Sequence, residues 1–252
     1  MTLSGNRYPL SGIMLYAGTM SEYPRYAIYF APDADRALTR FGAETLGYDA
    51  YSGHDIDHPK TVVADFPDWA GITADPRKYG FHGTLKAPFS LAGDQSEEDL
   101  LAALVEFAEE PREIPIIAPV VRTISGFTAI VPDETDDDLD LLAEACVRHF
   151  EPFRAPMTAE DRARRKPDGL TPRQTEHLDD WGYPHVFEDF RFHMTLTGRL
   201  TEERGAAVLA LLQHRFAELG IDELKIDSVA LFRQDGKDTR FRIISHVALT
   251  QD

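Results

Sequence analysis

Two short stretches carry the residue types that could do chemistry: Tyr79-Gly80-Phe81-His82-Gly83-Thr84-Leu85-Lys86 and Phe190-Arg191-Phe192-His193-Met194-Thr195-Leu196-Thr197. Both contain Phe-His-x-Thr-Leu, and both alternate apolar and polar residues as a half-buried strand does. On a strand, residues i and i+2 share a face, about 7 Å apart. His82 and Thr84 therefore share one face, with Phe81, Gly83 and Leu85 behind. His193 and Thr195 repeat the arrangement, with Phe192, Met194 and Leu196 behind. An imidazole gives or takes a proton near neutral pH, and a hydroxyl can donate to a phosphoryl oxygen. Two such pairs facing each other supply a base, an acid and two oxyanion donors. That set could cleave a phosphodiester by in-line attack without a metal.

The elements needed to position these stretches follow from the pattern around them. Tyr26–Ala31 reads as a strand, and Asp33 is placed to cap a helix carrying Ala34, Ala37, Leu38, Phe41 and Leu46, which stops at Gly47. Residues 48–70 read as a polar connection. Its His54, Asp55, Asp57 and His58 are a solvated loop rather than a metal site, since no further cluster has suitable spacing. The first motif strand runs from about Phe81 to Leu91. Ser96 with Asp99 resembles a capping box before a helix through Leu100, Leu104 and Ala108. Ile114–Thr123 and Phe127–Val131 pair around Ser125-Gly126. The acidic run Asp133–Asp138 complements the dipole of a helix over Leu139–Phe150. Residues 151–188 hold a helical insertion, with one helix over Ala159–Arg165 and another opened by Thr171-Pro172. This insertion is either a cover for the site or a peripheral hairpin, and its His177 and His185 are expected on the surface. The second motif strand spans about Phe190–Leu196. A helix begun at Thr201 ends at Gly220, and a last hairpin of Lys225–Gln234 and Phe241–Leu249 turns at Asp235-Gly236.

At the two His-x-Thr motifs the sequence resembles the two-histidine (2H) phosphoesterase superfamily. The runs Asp75–Phe89, Arg25–Pro32 and Arg191–Leu200 resemble one branch in particular, a group of proteins associated with bacterial phosphonate-utilisation genes. The resemblance implies an α+β fold, internally duplicated and two-lobed, with antiparallel sheets lining a central cleft and helices outside. The lobes are expected at about 25–125 and 126–252, forming one domain after an N-terminal extension over residues 1–24. The implied activity is that of a phosphoric ester hydrolase, a cyclic phosphodiesterase acting on a sugar phosphate or nucleotide. An RNA-end ligase-like enzyme and a non-catalytic phosphate sensor are the alternatives. His82 and His193 would be catalytic, and Thr84 and Thr195 would hold the phosphate. Lys86, on the face of His82 and Thr84, is the best-placed cation. Tyr79 and Arg191 are further candidates, ahead of Tyr26, Arg77, Arg199 and Arg240. No metal or cofactor is required.

Composition narrows the partners. The 252 residues are 43% hydrophobic and 27% charged, ordinary for a globular protein of this size. A formal net charge of −17 repels long nucleic acid and favours a small phosphorylated substrate held by a few local cations. No apolar run is long enough to span a bilayer and no stretch reads as a secretory signal. Cys146 is expected to be buried. A cytoplasmic location is the expectation.

Overall fold

The computed structural model describes residues 23–165 and 167–252, so all but the last two residues of the expected extension lie outside the described residues. In chain order the elements are β1 (Arg25–Phe30), α1 (Ala37–Leu46), β2 (Tyr48–Asp49), β3 (His54–Asp55), α2 (Lys60–Asp65), α3 (Trp69–Ile72), α4 (Ala74–Arg77), β4 (Gly83–Ser90), α5 (Glu97–Glu109), β5 (Ile116–Ile117), β6 (Pro119–Ile124), β7 (Phe127–Pro132), α6 (Asp137–His149), α7 (Ala159–Arg164), α8 (Pro172–Trp181), β8 (Met194–Thr195), α9 (Glu202–Ala217), β9 (Leu224–Lys225), β10 (Ser228–Gln234) and β11 (Arg242–Ala248). The fold is α+β. Seven strands form one antiparallel sheet in the order β11-β10-β1-β4-β8-β7-β6.

The sheet interleaves the two halves of the chain. The C-terminal β10–β11 hairpin joins β1 at one side, and β6 joins β7 at the other. The two motif strands, β4 and β8, meet in the middle through the pair Gly83 and Met194. That approach requires glycine: a Cβ at Gly83 would lie 2.5 Å from the Phe192 ring.

Local signals place most boundaries. Ser96 accepts from Asp99 N at 3.1 Å while the Asp99 carboxylate accepts from Ser96 N, closing a capping box on α5. Thr171 and Gln174 do the same on α8, with Pro172 at its first position. The acidic run places Asp136 at the cap of α6, accepting from Leu139 N at 2.8 Å. One face of the sheet and the helices α1, α5, α6 and α9 bury the main core, which includes Ile28, Leu85, Leu104, Cys146, Met194 and Leu212. The opposite side carries a smaller cluster of Ala27, Tyr29, Ala31, Tyr48, Ala50, Phe232 and Phe241.

Four expectations are corrected. Asp33 does not cap α1, which starts later after Arg36; the intervening turn is held instead by the Thr39 hydroxyl, which donates to the Pro32 and Asp33 carbonyls. Residues 48–70 are not a polar loop. They form the β2–β3 hairpin, α2 and the start of α3. The second motif strand is only Met194–Thr195, because a short 3-10 turn at Phe187–Asp189 delivers the chain to it. His177 is buried, its ring edge-on to Phe187 at 5.5 Å, rather than on the surface, whereas His185 is exposed.

Candidate active site

Each motif histidine lies one residue before its strand, and both are fixed in the same way. His82 Nδ1 is 2.9 Å from the Gly80 carbonyl oxygen, and His193 Nδ1 is 2.7 Å from that of Arg191. A carbonyl oxygen only accepts, so each Nδ1 carries the proton and donates to the backbone two residues earlier. The free nitrogen of each ring is therefore Nε2. At His82 the Thr84 hydroxyl lies 3.3 Å from Nε2 and is placed to donate to it.

The register brings the two motifs together. Counting outward from the Gly83–Met194 pair sets His82 across from Thr195 and Thr84 across from His193. Directly opposed residues on neighbouring strands are about 5 Å apart and diagonal ones about 7–8 Å, so the two imidazoles occupy diagonal positions on one face. The field of His193 acts on His82, consistent with that placement.

The surroundings of the two rings differ. His82 stacks on Tyr29, centroids 3.8 Å apart and planes at 20°. Phe232 at 5.9 Å and Tyr79 at 6.2 Å complete its walls. Burial among these rings pushes the imidazole down to about 4, against the Gly80 contact, which raises it, and with His193, which lowers it further. His82 is therefore neutral at pH 7. Among the described residues, His193 meets the ring of Phe127, at 5.6 Å.

The remaining expected residues divide. Tyr79 lies beside His82 and stacks on Phe241 at 5.4 Å. Thr195 sits on the same face, opposite Ala129 of β7. Lys86 is not a surface cation: it is 3% exposed, and its ammonium donates to Glu151 Oε2 at 2.8 Å and to the Val147 carbonyl at 2.9 Å. Arg191 turns back to donate to the Glu188 and Phe190 carbonyls. Tyr26 donates to Glu97 at 2.8 Å, Arg77 to Leu46, Ala70 and Thr73, and Arg240 to Asp55. His58, in the connection read for metal ligands, meets the Glu44 carbonyl and Arg77. A cavity of about 630 Å³ lies elsewhere, lined by Phe30, Arg36, Leu38, Glu223 and Lys225 among others.

Sequence reasoning missed Tyr29 and Phe232, the floor beneath His82. Ala27, Tyr29 and Ala31 lie on one face of β1, so a single aromatic stands between two small residues with room above it for a ring. That alternation was the available signal.

Several solved structures are distantly similar. E. coli LigT in complex with NADP+ is 15% identical, with a TM-score of 0.42 covering 92% of this chain and 100% of that one. A conserved protein of unknown function from Agrobacterium tumefaciens str. C58 is 12% identical, with a TM-score of 0.43 covering 90% of this chain and 86% of that one. Among curated proteins, ribose 1,5-bisphosphate phosphokinase PhnN of Janthinobacterium sp. (strain Marseille) is 34% identical over 215 residues, 84% of this chain and 48% of the relative. The protein of the same name from Laribacter hongkongensis (strain HLHK9) is 31% identical over 220 residues, 87% of this chain and 50% of the relative. The chain thus spans about half the length of the curated relatives it matches. Their name corrects the expected activity: they are called a phosphokinase, which transfers a phosphoryl group, and not a phosphoric ester hydrolase. The recognition made from the paired motifs is borne out at the level of family. Residues 84–242 match the family described as "Protein of unknown function (DUF1045)", and the chain belongs to that family.

Proposed function

We propose that the paired motifs form a site for a phosphorylated ribose and that the chain works in phosphoryl transfer to it. The substrate class is taken from the relatives' name. The observation that carries the reading is the common setting of the two imidazoles, each with Nδ1 tied to a carbonyl two residues earlier, so that Nε2 is the proton-accepting nitrogen of both. His82, neutral at pH 7, accepts the proton of the attacking oxygen as that oxygen bonds to phosphorus and the donor's P–O bond breaks. His193, diagonal to it, is the proton donor on the opposite side. The hydroxyl of Thr195 holds a non-bridging oxygen, that of Thr84 turns from His82 Nε2 to another as the ligand enters, and Tyr79 borders the ligand.

The reading includes an internal duplication. β1-α1, β4-α5 and β6 run in the same order as β7-α6, β8-α9 and β10. Each motif strand pairs with the first strand of its own half, and each third strand pairs with the first strand of the other half. This supports one domain of two lobes with the ligand groove where β4 meets β8.

Titration calorimetry of ribose 1,5-bisphosphate into the full chain, then phosphorus NMR of the same mixture with ATP and Mg²⁺, tests the proposal. Binding and phosphoryl transfer are expected, and His82→Ala should slow transfer by about a hundredfold or more while circular dichroism is unchanged. Absence of binding, or wild-type transfer by both His82→Ala and His193→Ala, overturns it.

A further inference from the structure

A site for a doubly phosphorylated ligand in a chain of net charge −17 needs local cations. Lys86 and Arg191 do not supply them, since the first is paired with Glu151 and the second with backbone carbonyls. The helical insertion offers another. It is clamped to the first motif strand by a chain of polar contacts. Lys86 on β4 holds Glu151 Oε2 at 2.8 Å, Arg154 holds Glu151 Oε1 at 2.6 and 2.8 Å, and Arg154 donates to the Asp180 carbonyl at 2.9 Å. Two residues past that carbonyl, Gly182 turns with φ of 72° against the Arg154 side chain. Tyr183 follows, and it lines a small pocket together with Lys86, Ala87 and Pro88 of β4. The Arg165 guanidinium lies 5.2 Å from the Tyr183 ring centre, and the His185 ring stands edge-on to the same tyrosine at 5.5 Å.

We propose that Arg165 binds the second phosphate of the ligand whose first phosphate sits at His82 and His193, with the Tyr183 ring holding the guanidinium in place. The inference rests on the reading of the histidine pair as a phosphorylated-ribose site. Its support is the clamp, which fixes Tyr183 on the motif strand, and the cation–π contact, which fixes Arg165 on Tyr183. The fields of Arg165 and Tyr183 reach the Tyr29 hydroxyl, on whose ring His82 stacks, and that of His193 reaches His185. A guanidinium held by an aromatic face keeps its hydrogen-bond donors for a planar or tetrahedral anion.

The test is calorimetric, on the full chain, with ribose 1,5-bisphosphate and ribose 5-phosphate as probes. Wild type is expected to prefer the bisphosphate. Arg165→Ala should weaken the bisphosphate by roughly ten- to a hundredfold and leave the monophosphate unchanged. Arg165→Lys should recover part of the loss, and unchanged thermal midpoints would show that neither variant is misfolded. A wild type that binds both probes with an Arg165→Ala variant indistinguishable from it overturns this proposal alone. The same holds if both probes weaken equally. A wild type that binds neither probe overturns the phosphorylated-ribose reading and this inference with it.

Discussion

The aromatic walls around His82 tie its protonation to the stability of the fold. Its imidazole is held near 4 in the folded chain, whereas an exposed histidine titrates near 6.5. The folded state therefore resists a proton that the unfolded state accepts. Above pH 6.5 both states are neutral and the group has no effect. As pH falls from 6.5 toward 4 the unfolded chain gains protons first, and stability is lost across that window, levelling off below 4. The loss attributable to His82 is roughly 2 kcal/mol at pH 5 and roughly 3 kcal/mol at pH 4. Many carboxylates titrate in the same range, so the measurement is a difference of differences. Urea unfolding of wild type and His82→Gln at pH 7 and pH 4 gives it. Wild type should lose about 3 kcal/mol more than the variant. NMR titration of the ring protons gives the pKa directly and should show no protonation of His82 until well below pH 5.5. A midpoint near 6.5, or equal pH sensitivity of the two proteins, would refute the account of a ring walled in by Tyr29, Phe232 and Tyr79.

Two further outcomes follow from contacts at β4. Gly83→Ala should destabilise the fold by about 1–3 kcal/mol in urea unfolding, because the new methyl must displace Phe192 from between the motif strands. Lys86→Met should also cost about 1–3 kcal/mol, since Glu151 keeps Arg154 but loses its buried partner. Its calorimetric affinity for ribose 5-phosphate should match that of wild type, because the buried ammonium is engaged by Glu151 and the Val147 carbonyl.

What could be read in advance depended on range along the chain. Ser96 with Asp99, Thr171 with Pro172, and the stop at Gly47 are local devices, and each is where residue type and spacing put it. The His-x-Thr repeat was legible because alternation assigns faces within a strand. Alternation says nothing of what lies 65 residues away, so Lys86, in phase with His82 and Thr84, read as a phosphate contact although Glu151 draws it inward. A β-bulge between β1 and β4 lies in the same stretch. The helices α2, α3 and α4 are four to six residues long and show no period to detect. His177 looked like a surface residue because the burial partner, Phe187, comes from a later turn. The motif residues were read as a set that could cleave a phosphodiester, and the same base, acid and oxyanion donors serve phosphoryl transfer equally, so residue types alone do not separate the two reactions.

The aromatic wall around His82 is assembled from places far apart in the sequence. Tyr29 comes from β1, and Phe232, 4.9 Å from Tyr29, belongs to β10 some 200 residues later. During synthesis both histidine motifs leave the ribosome before the strand that seals the first of them exists. A nascent chain can hold β1 beside β4, yet the Phe232 side of the His82 ring is covered only when β10 docks. Such long-range closure is slow relative to local pairing. The full enclosure of this ring is thus a late event of folding, reached when the sheet receives its C-terminal strands and not when the motif itself forms.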